Sequence, residues 1–600
     1  MIRISRTSKV AFLLVPFLLF AGGASAQTCP DKDATPPTTP LAYPLPSDQY
    51  SVQYQIDGGG WTPAMVFISY YGQTTGSPQR DGVPYVTGPT SMSFVSIPAH
   101  ANAVVQLRVT KLATGPFQFS DNVTVRPTPI LANVQTQLDG TVQISTRIAG
   151  NFNGEQFILM WNHGTDGGGL EGLAFYLNPP YTRPTGTNVK VVTSWTDLKG
   201  FANDPNLLNY DTIDFESSSS ALLPVPIQLG GDGSLGYKVP ANIVNVFFGP
   251  SAWVRGKLQF NKITPRTYIY GPGVLDGSQF SYLNRDCVNN GTDDGIYSLS
   301  SLDQFGKLTN FNVNGIIISD INHAADDPFY SSVINNVKVL GWNSNNAALR
   351  LNDSTTASNI FIRSSDDSLM IWGSPVTVTN ATVWQGYNGG VISLGWSDNS
   401  VGDGNMVDGL WVVKTDWVTP TVQSWDALSQ PGPPKPVNGQ NDGVIASLMI
   451  PSTSYGKNSP PVFRNIYVED TPQVLFSIKI VPPVNCTPDT CVATFLKQNS
   501  SLVRLKIENL FSPQSVIKNS IGFQTIPKGF IANGTDTTSI FPADYILTGT
   551  MNVELTNVWI KLPFGLALPL TNSFAGDWLG KITTNGNVQI KYDLGSPIFW

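Results

Sequence analysis

Asp366 and Asp367 are adjacent carboxylates at a polar turn between two short apolar runs, Asn359-Ile-Phe-Ile and Ser368-Leu-Met-Ile371. Burying such a pair is costly, because desolvation and like charge both oppose ionisation. One carboxyl held protonated beside one held ionised can donate a proton to a leaving oxygen while activating water, which is the chemistry of glycoside hydrolysis. Neighbours in an extended strand point to opposite faces, so both reach one cleft only if the chain bends there. The plain alternative is a solvated Asp-Asp turn. Asp353, in Leu351-Asn-Asp-Ser354, is the nearest further acid in sequence. Aligning the strands, however, sets Asn345-Asn346 on one side of the pair and Gly389-Gly390 on the other, with Asp353 at the far end of its strand. Asp326-Asp327 and Asp398 are further candidates. Tryptophans concentrate here as Trp372, Trp384, Trp396, Trp411 and Trp417. An exposed indole stacks well on the apolar face of a sugar. Trp372 and Trp396, with Asn346 and Tyr387, are the candidates for substrate contact, and the other indoles fill the solenoid core or the inter-coil surface.

The elements that must hold the pair repeat. Asn336-Val-Lys-Val, Asn359-Ile-Phe-Ile and Asn380-Ala-Thr-Val recur, each followed by a small or polar turn and a second apolar strand: Ala348-Leu-Arg-Leu351, Ser368-Leu-Met-Ile371, Val391-Ile-Ser-Leu394. The register extends back to Asn314-Gly-Ile-Ile-Ile318 and forward to Asp408-Gly-Leu-Trp-Val412, Asn465-Ile-Tyr-Val468 and Asn557-Val-Trp-Ile560. Stacked strands of this kind predict a parallel β-solenoid, because no single coil can bury its apolar face alone. Asn suits the repeated corner: it tolerates left-handed backbone, and its amide can bond from coil to coil. Gly271-Pro-Gly-Val-Leu-Asp-Gly277, running out of a strand, fits a sharp β-helix corner. It is no phosphate loop, lacking both a following helix and Lys-Ser/Thr.

Before the repeats, short alternating runs such as Ser51-Val-Gln-Tyr-Gln-Ile56, Val104-Val-Gln-Leu-Arg-Val109 and Phe157-Ile-Leu-Met160 predict an antiparallel sandwich, with Val189-Lys-Val-Val192 as its last strand. Residues 1–26 read as a signal peptide: Arg3, Arg6 and Lys9, then an apolar run, then Ala24-Ser25-Ala26. Residues 27–45 form an arm, 46–200 the sandwich and 201–600 the solenoid. The class is all-β, and export to an extracellular, oxidising setting follows from the leader. Cys486 and Cys491 are spaced for a tight disulfide loop, while Cys29 and Cys287 are a further possible pair. Five sequons, at Asn122, Asn290, Asn485, Asn499 and Asn533, would accept glycans in a eukaryotic secretory route. The net charge of −7 without a basic cluster argues against a nucleic-acid partner. No transmembrane run follows the leader, and the expected particle is a monomer.

These pieces resemble glycoside hydrolase family 49, the dextranases and isopullulanases. The resemblance rests on Phe247-Phe-Gly-Pro-Ser-Ala-Trp-Val-Arg-Gly256, Tyr270-Gly-Pro-Gly-Val-Leu-Asp-Gly277, Asn359-Ile-Phe-Ile-Arg-Ser-Ser-Asp-Asp367, Ala381-Thr-Val-Trp384 and Ile392-Ser-Leu-Gly-Trp396, in that order and spacing. It implies an N-terminal β-sandwich on a right-handed parallel β-helix, and inverting, endo-acting cleavage of an α-glucan such as dextran. It implies no metal or cofactor. Asp366 then looks like the general acid, and Asp367 like a carboxylate that positions the attacking water. The family's remaining aspartate, one coil earlier in a Thr-Asp-Gly context, is replaced by Asn345-Asn346-Ala347, and Met370 stands where the family has lysine. Two other readings fit the scaffold: a polygalacturonase-like hydrolase of another polysaccharide, favoured by basic residues such as Arg350 and Arg363 in the cleft, and a non-catalytic carbohydrate-binding protein.

Overall fold

The computed structural model describes residues 46–70, 91–277, 299–415, 443–480, 501–525, 549–562 and 579–592, apart from short stretches within them. The leader, the arm, the cysteines and four of the five sequons lie outside the described residues; Asn122 is described and exposed.

Asparagine sets the corners of the solenoid. Asn336, Asn359, Asn380, Asn465, Asn509 and Asn557 all take φ between 52° and 56°. That left-handed region costs other L-residues about 1–2 kcal/mol. On the rung between Asn380 and Asn465 the corner is Gly409, with φ 78°. The amides bond along the stack: Asn380 Nδ2 donates to Asn359 Oδ1, Asn509 Nδ2 to Asn465 Oδ1 at 2.9 Å, and Asn557 Nδ2 to Asn509 Oδ1 at 3.2 Å. Each long strand, such as Thr355–Ser364 or Val376–Gln385, runs straight through its corner residue. Asn380→Ala should therefore lose both the amide bond and the easy left-handed backbone. The expected cost is about 2 kcal/mol. Asn380→Gly should cost less than half as much, and the two urea midpoints read the difference.

The rungs stack in parallel. Ile334, Ala357, Val378, Val407, Phe463, Ile507 and Leu555 pair one to the next and are all buried, forming one column of the core. Leu349, Leu369, Ile392 and Ile445 form another. Among the described residues these columns belong to a 19-stranded and an 8-stranded parallel sheet. Burial of each such side chain contributes roughly 1.5–3 kcal/mol, and a rung has that burial only with neighbours above and below it.

Among the described residues the sandwich packs two five-stranded sheets around Val95, Leu107, Ile144, Phe157 and Phe175. Its pairing is antiparallel except that Leu173–Asn178 runs parallel to Ser91–Pro98. Val189–Val192 is not a sandwich strand, contrary to its alternating pattern. It pairs in parallel with Thr212–Phe215 and opens the 19-stranded sheet, with Val192 in the solenoid core. The first sheet of rungs needs an end strand, and a Val-rich segment serves either architecture equally well.

One sheet of the sandwich lies on the β-helix. Phe67 and Phe94 pack on Trp253, and Tyr176 packs on Phe361 at 5.4 Å. The corner asparagines of the early rungs bond across this contact. Gln156 Nε2 donates to Asn336 Oδ1 at 3.0 Å and to the Asn359 carbonyl at 2.7 Å, while Asn359 Nδ2 donates to the Asn153 and Gly154 carbonyls. Lys338 is wholly buried here, donating to Asn178 Oδ1 and the Gly315 carbonyl, and burial pulls its pKa well below the usual lysine range.

Candidate active site

The pair sits where one rung passes from strand Thr355–Ser364 to strand Leu369–Ile371. A buried polar cluster fixes this turn from within. The Asp366 carbonyl accepts from Ser364 Oγ and from Gln385 Nε2, both at 2.9 Å. Ser368 Oγ bonds Gln385 Oε1 at 2.7 Å and lies 2.8 Å from Ser364 Oγ. These are end residues of successive rungs whose apolar inward positions have given way to polar ones. They hold the backbone bent where alternation would otherwise send the two acids to opposite faces.

The bend turns both carboxyls toward the following rung. Asp367 Oδ1 accepts from the Gly390 amide at 2.8 Å, and Asp366 Oδ1 caps the Asp367 amide at 2.8 Å. Gly389, with φ 67°, passes so close that a Cβ there would lie 2.4 Å from Asp366 Oδ1. Only glycine fits. Gly389→Ala is expected to displace the Asp366 carboxyl and cut activity at least tenfold, because small misplacement of a reacting group is costly; initial rates beside an unchanged circular dichroism spectrum check this.

The two acids differ in surroundings. Asp366 is half-buried, while Asp367 is 6% exposed. Burial pushes the Asp367 carboxyl up to about 6, against the pull of the Gly390 amide and the neighbouring Ser393 hydroxyl. A carboxyl poised there changes charge close to neutral pH, as acid–base catalysis requires.

The structure does not bring Asp353 to the pair. Leu349 pairs with Leu369 and Leu351 with Ile371, so Asp353 falls beside Gly373, past the other end of the strand, where it is exposed and caps the Ser374 amide. Trp372 is not an open sugar platform. It is 7% exposed, packed with Met370 and Ala347, and the Arg350 guanidinium lies 3.9 Å from its ring centre. Trp384 is fully buried, and Trp411 stacks on Tyr467 at 5.8 Å. Arg363 is buried and donates to the Gly341 carbonyl, which removes it from any cleft. Trp396, Asn346, Tyr387, Cys486, Cys491, Trp417 and Asp398 lie outside the described residues, as do the side chains of Asp326 and Asp327.

Sequence reasoning missed Ser364, Ser368 and Gln385, which shape the turn, and Ser393, which flanks Asp367. The run Ser364-Ser-Asp-Asp-Ser368 was the available signal: serines where the strand pattern calls for apolar residues. A separate cavity of about 350 Å³ lies on the sandwich, lined by Tyr54, Thr62, Pro98, His100 and Pro180, away from the pair.

No protein-family model matches the chain. Over 193 residues it is 26% identical to the dextranases of Arthrobacter sp. (strain CB-8) and Arthrobacter globiformis. The match covers 28% of this chain and 29% of each relative, so the chain spans under a third of their length. Among solved structures it is similar to Dex49A from Penicillium minioluteum, with a TM-score of 0.56 and 16% identity, covering 91% of this chain and 96% of the other. That last likeness speaks for the fold: an N-terminal β-sandwich and a parallel β-helix. The partial sequence match and the shared fold agree in pointing to the dextranases as what this chain is similar to. The strand register sets Ala347 opposite Asp367 on the preceding rung and Gly390 on the following one, so neither directly facing position carries a carboxylate.

Proposed function

We propose that the chain is a secreted hydrolase that cleaves α-1,6 links within a dextran-like α-glucan by single displacement with inversion. The observation that carries this is the bent Asp366-Asp367 turn, with two carboxyls of unequal burial aimed at the same neighbouring rung. The relationship to dextranases supports the substrate class. The half-buried Asp366 donates its proton to the glycosidic oxygen as the carbon–oxygen bond breaks. Asp367 takes a proton from the water that attacks the anomeric carbon on the opposite face. Secretion rests on the leader-like residues 1–26.

The test is incubation with dextran, pullulan and polygalacturonate, following reducing ends and the anomer first formed. Rapid release from dextran with the β-anomer appearing first is expected; release from polygalacturonate alone, or an α-anomer first, overturns the reading. One observation favours a second reading, a carbohydrate-binding protein without turnover: Ala347 faces Asp367 where a third acid would stand. Binding without released reducing ends would decide for it.

The pH dependence separates the roles. As the base, Asp367 must be ionised, so kcat/KM should fall tenfold per unit as pH drops below about 6. If Asp367 were the acid, the loss would come on the alkaline side of the same value.

A further inference from the structure

We propose that the outer face of the sandwich is a second binding surface, and that its occupant is a neutral glucan chain. One sheet of the sandwich packs on the β-helix. The other, which includes strands Tyr50–Ile56, Val104–Lys111 and Val142–Arg147, turns its apolar side chains into the sandwich core. Alternation then sends a different set outward. Cross-strand register arranges that set in two rows, Gln53–Arg108–Gln143 and Gln55–Gln106–Ser145, all half-exposed.

The composition of these rows is what points to a ligand. Four of the six are glutamines and none is a carboxylate or a lysine; of the two cations these strands turn outward, Arg108 lies 4.6 Å from the Trp61 ring centre and Arg147 stands at the end of its strand, opposite Val104. Solvent faces are ordinarily kept soluble by interspersed charges of both signs. Each glutamine amide offers two donors and an acceptor, which suits the hydroxyls of an uncharged sugar and offers nothing specific to a polyanion. Gln53, Gln106 and Gln143 spend none of this capacity on side-chain hydrogen bonds among the described residues. Adjacent strands lie about 4.8 Å apart, close to the length of one pyranose unit, so a chain laid across the strands meets a polar side chain at each sugar, two of every three of them amides. Trp61 supplies the stacking ring at the edge. Its loop is held in place: the Gln55 amide donates to the Gly59 carbonyl, and Asp57 and Gly58 take left-handed backbone.

Taking glucan as the occupant rests on the proposed function, but the surface is tested apart from it. Full-length protein carrying Asp366→Asn, so that the polymer survives, is run in native gels containing dextran, pullulan or polygalacturonate. Retardation by a neutral glucan and not by polygalacturonate is expected. Trp61→Ala, and separately the triple change Gln53→Ala, Gln106→Ala and Gln143→Ala, should each weaken that retardation about tenfold, while in the otherwise unaltered chain hydrolysis of a short oligosaccharide keeps its rate. If both variants are retarded like their parent, or no neutral glucan retards the parent, the proposal is wrong. If the unaltered chain hydrolyses nothing yet is retarded, and the variants lose this, the surface stands and the hydrolytic reading falls.

Discussion

Asp366→Asn is expected to reduce dextran hydrolysis by about a thousandfold, within the range general acid catalysis contributes. The substitution is nearly isosteric. The asparagine oxygen can still accept from the Asp367 amide, and the contacts that fix the turn go to the backbone carbonyl of residue 366, from Ser364 and Gln385. Geometry should therefore persist, and the loss should come from the missing proton alone. A substrate with a good leaving group isolates this. An aryl glycoside whose phenolate departs without protonation should suffer far less from the change than dextran does. Release of reducing ends, release of aryl alcohol and a melting curve together check the assignment. Equal losses on both substrates would mean that the residue positions and does not donate; no loss on dextran would remove it from the site.

The periodic part of the fold was legible because its cause is local. A corner that needs left-handed backbone, repeated once per coil, leaves asparagine or glycine at that spacing, and the apolar columns follow from stacking. Asn509 escaped because its rung, Ser501–Ser512, follows a long interval from Asn465, and unequal intervals hide a repeat. The Val189–Val192 strand was misplaced for a different reason: alternation reports a half-buried strand but not which sheet it joins. The candidate site was only partly legible. The Asp-Asp pair is visible in sequence, yet what lets both carboxyls serve one side is Ser364, Ser368 and Gln385 meeting across two rungs, and contact between Ser368 and Gln385 spans 17 residues. Trp372 shows the same limit. Composition marks it as a sugar platform, whereas its neighbours Arg350, Met370 and Ala347 close over it.

Asp367→Asn should separate stability from activity. Hydrolysis should fall by a further thousandfold class of effect, since an amide cannot take a proton from water; about 10²–10⁴ is the usual contribution of such a base. Stability at pH 7 should rise. The folded protein holds this carboxyl at about 6, above its ordinary value of 3.8, so between those values the native state binds the proton more readily than the unfolded chain. Stability from this group is then fullest below the unfolded value and is lost as pH rises through 6. By pH 7 the buried carboxylate costs on the order of 1–3 kcal/mol. Asparagine removes that charge while its oxygen still accepts from the Gly390 amide and its new N–H groups can find the Ser393 hydroxyl beside them. The variant should melt higher than the parent at pH 7 and about equally at pH 4. A variant that melts lower at both would show that the carboxylate is a structural anchor, not a group held at a cost for chemistry. A native protein that retains a buried acid against its own stability, in a turn shaped by three polar residues from two rungs, is better explained by use of that acid than by folding, because an amide would fold as well.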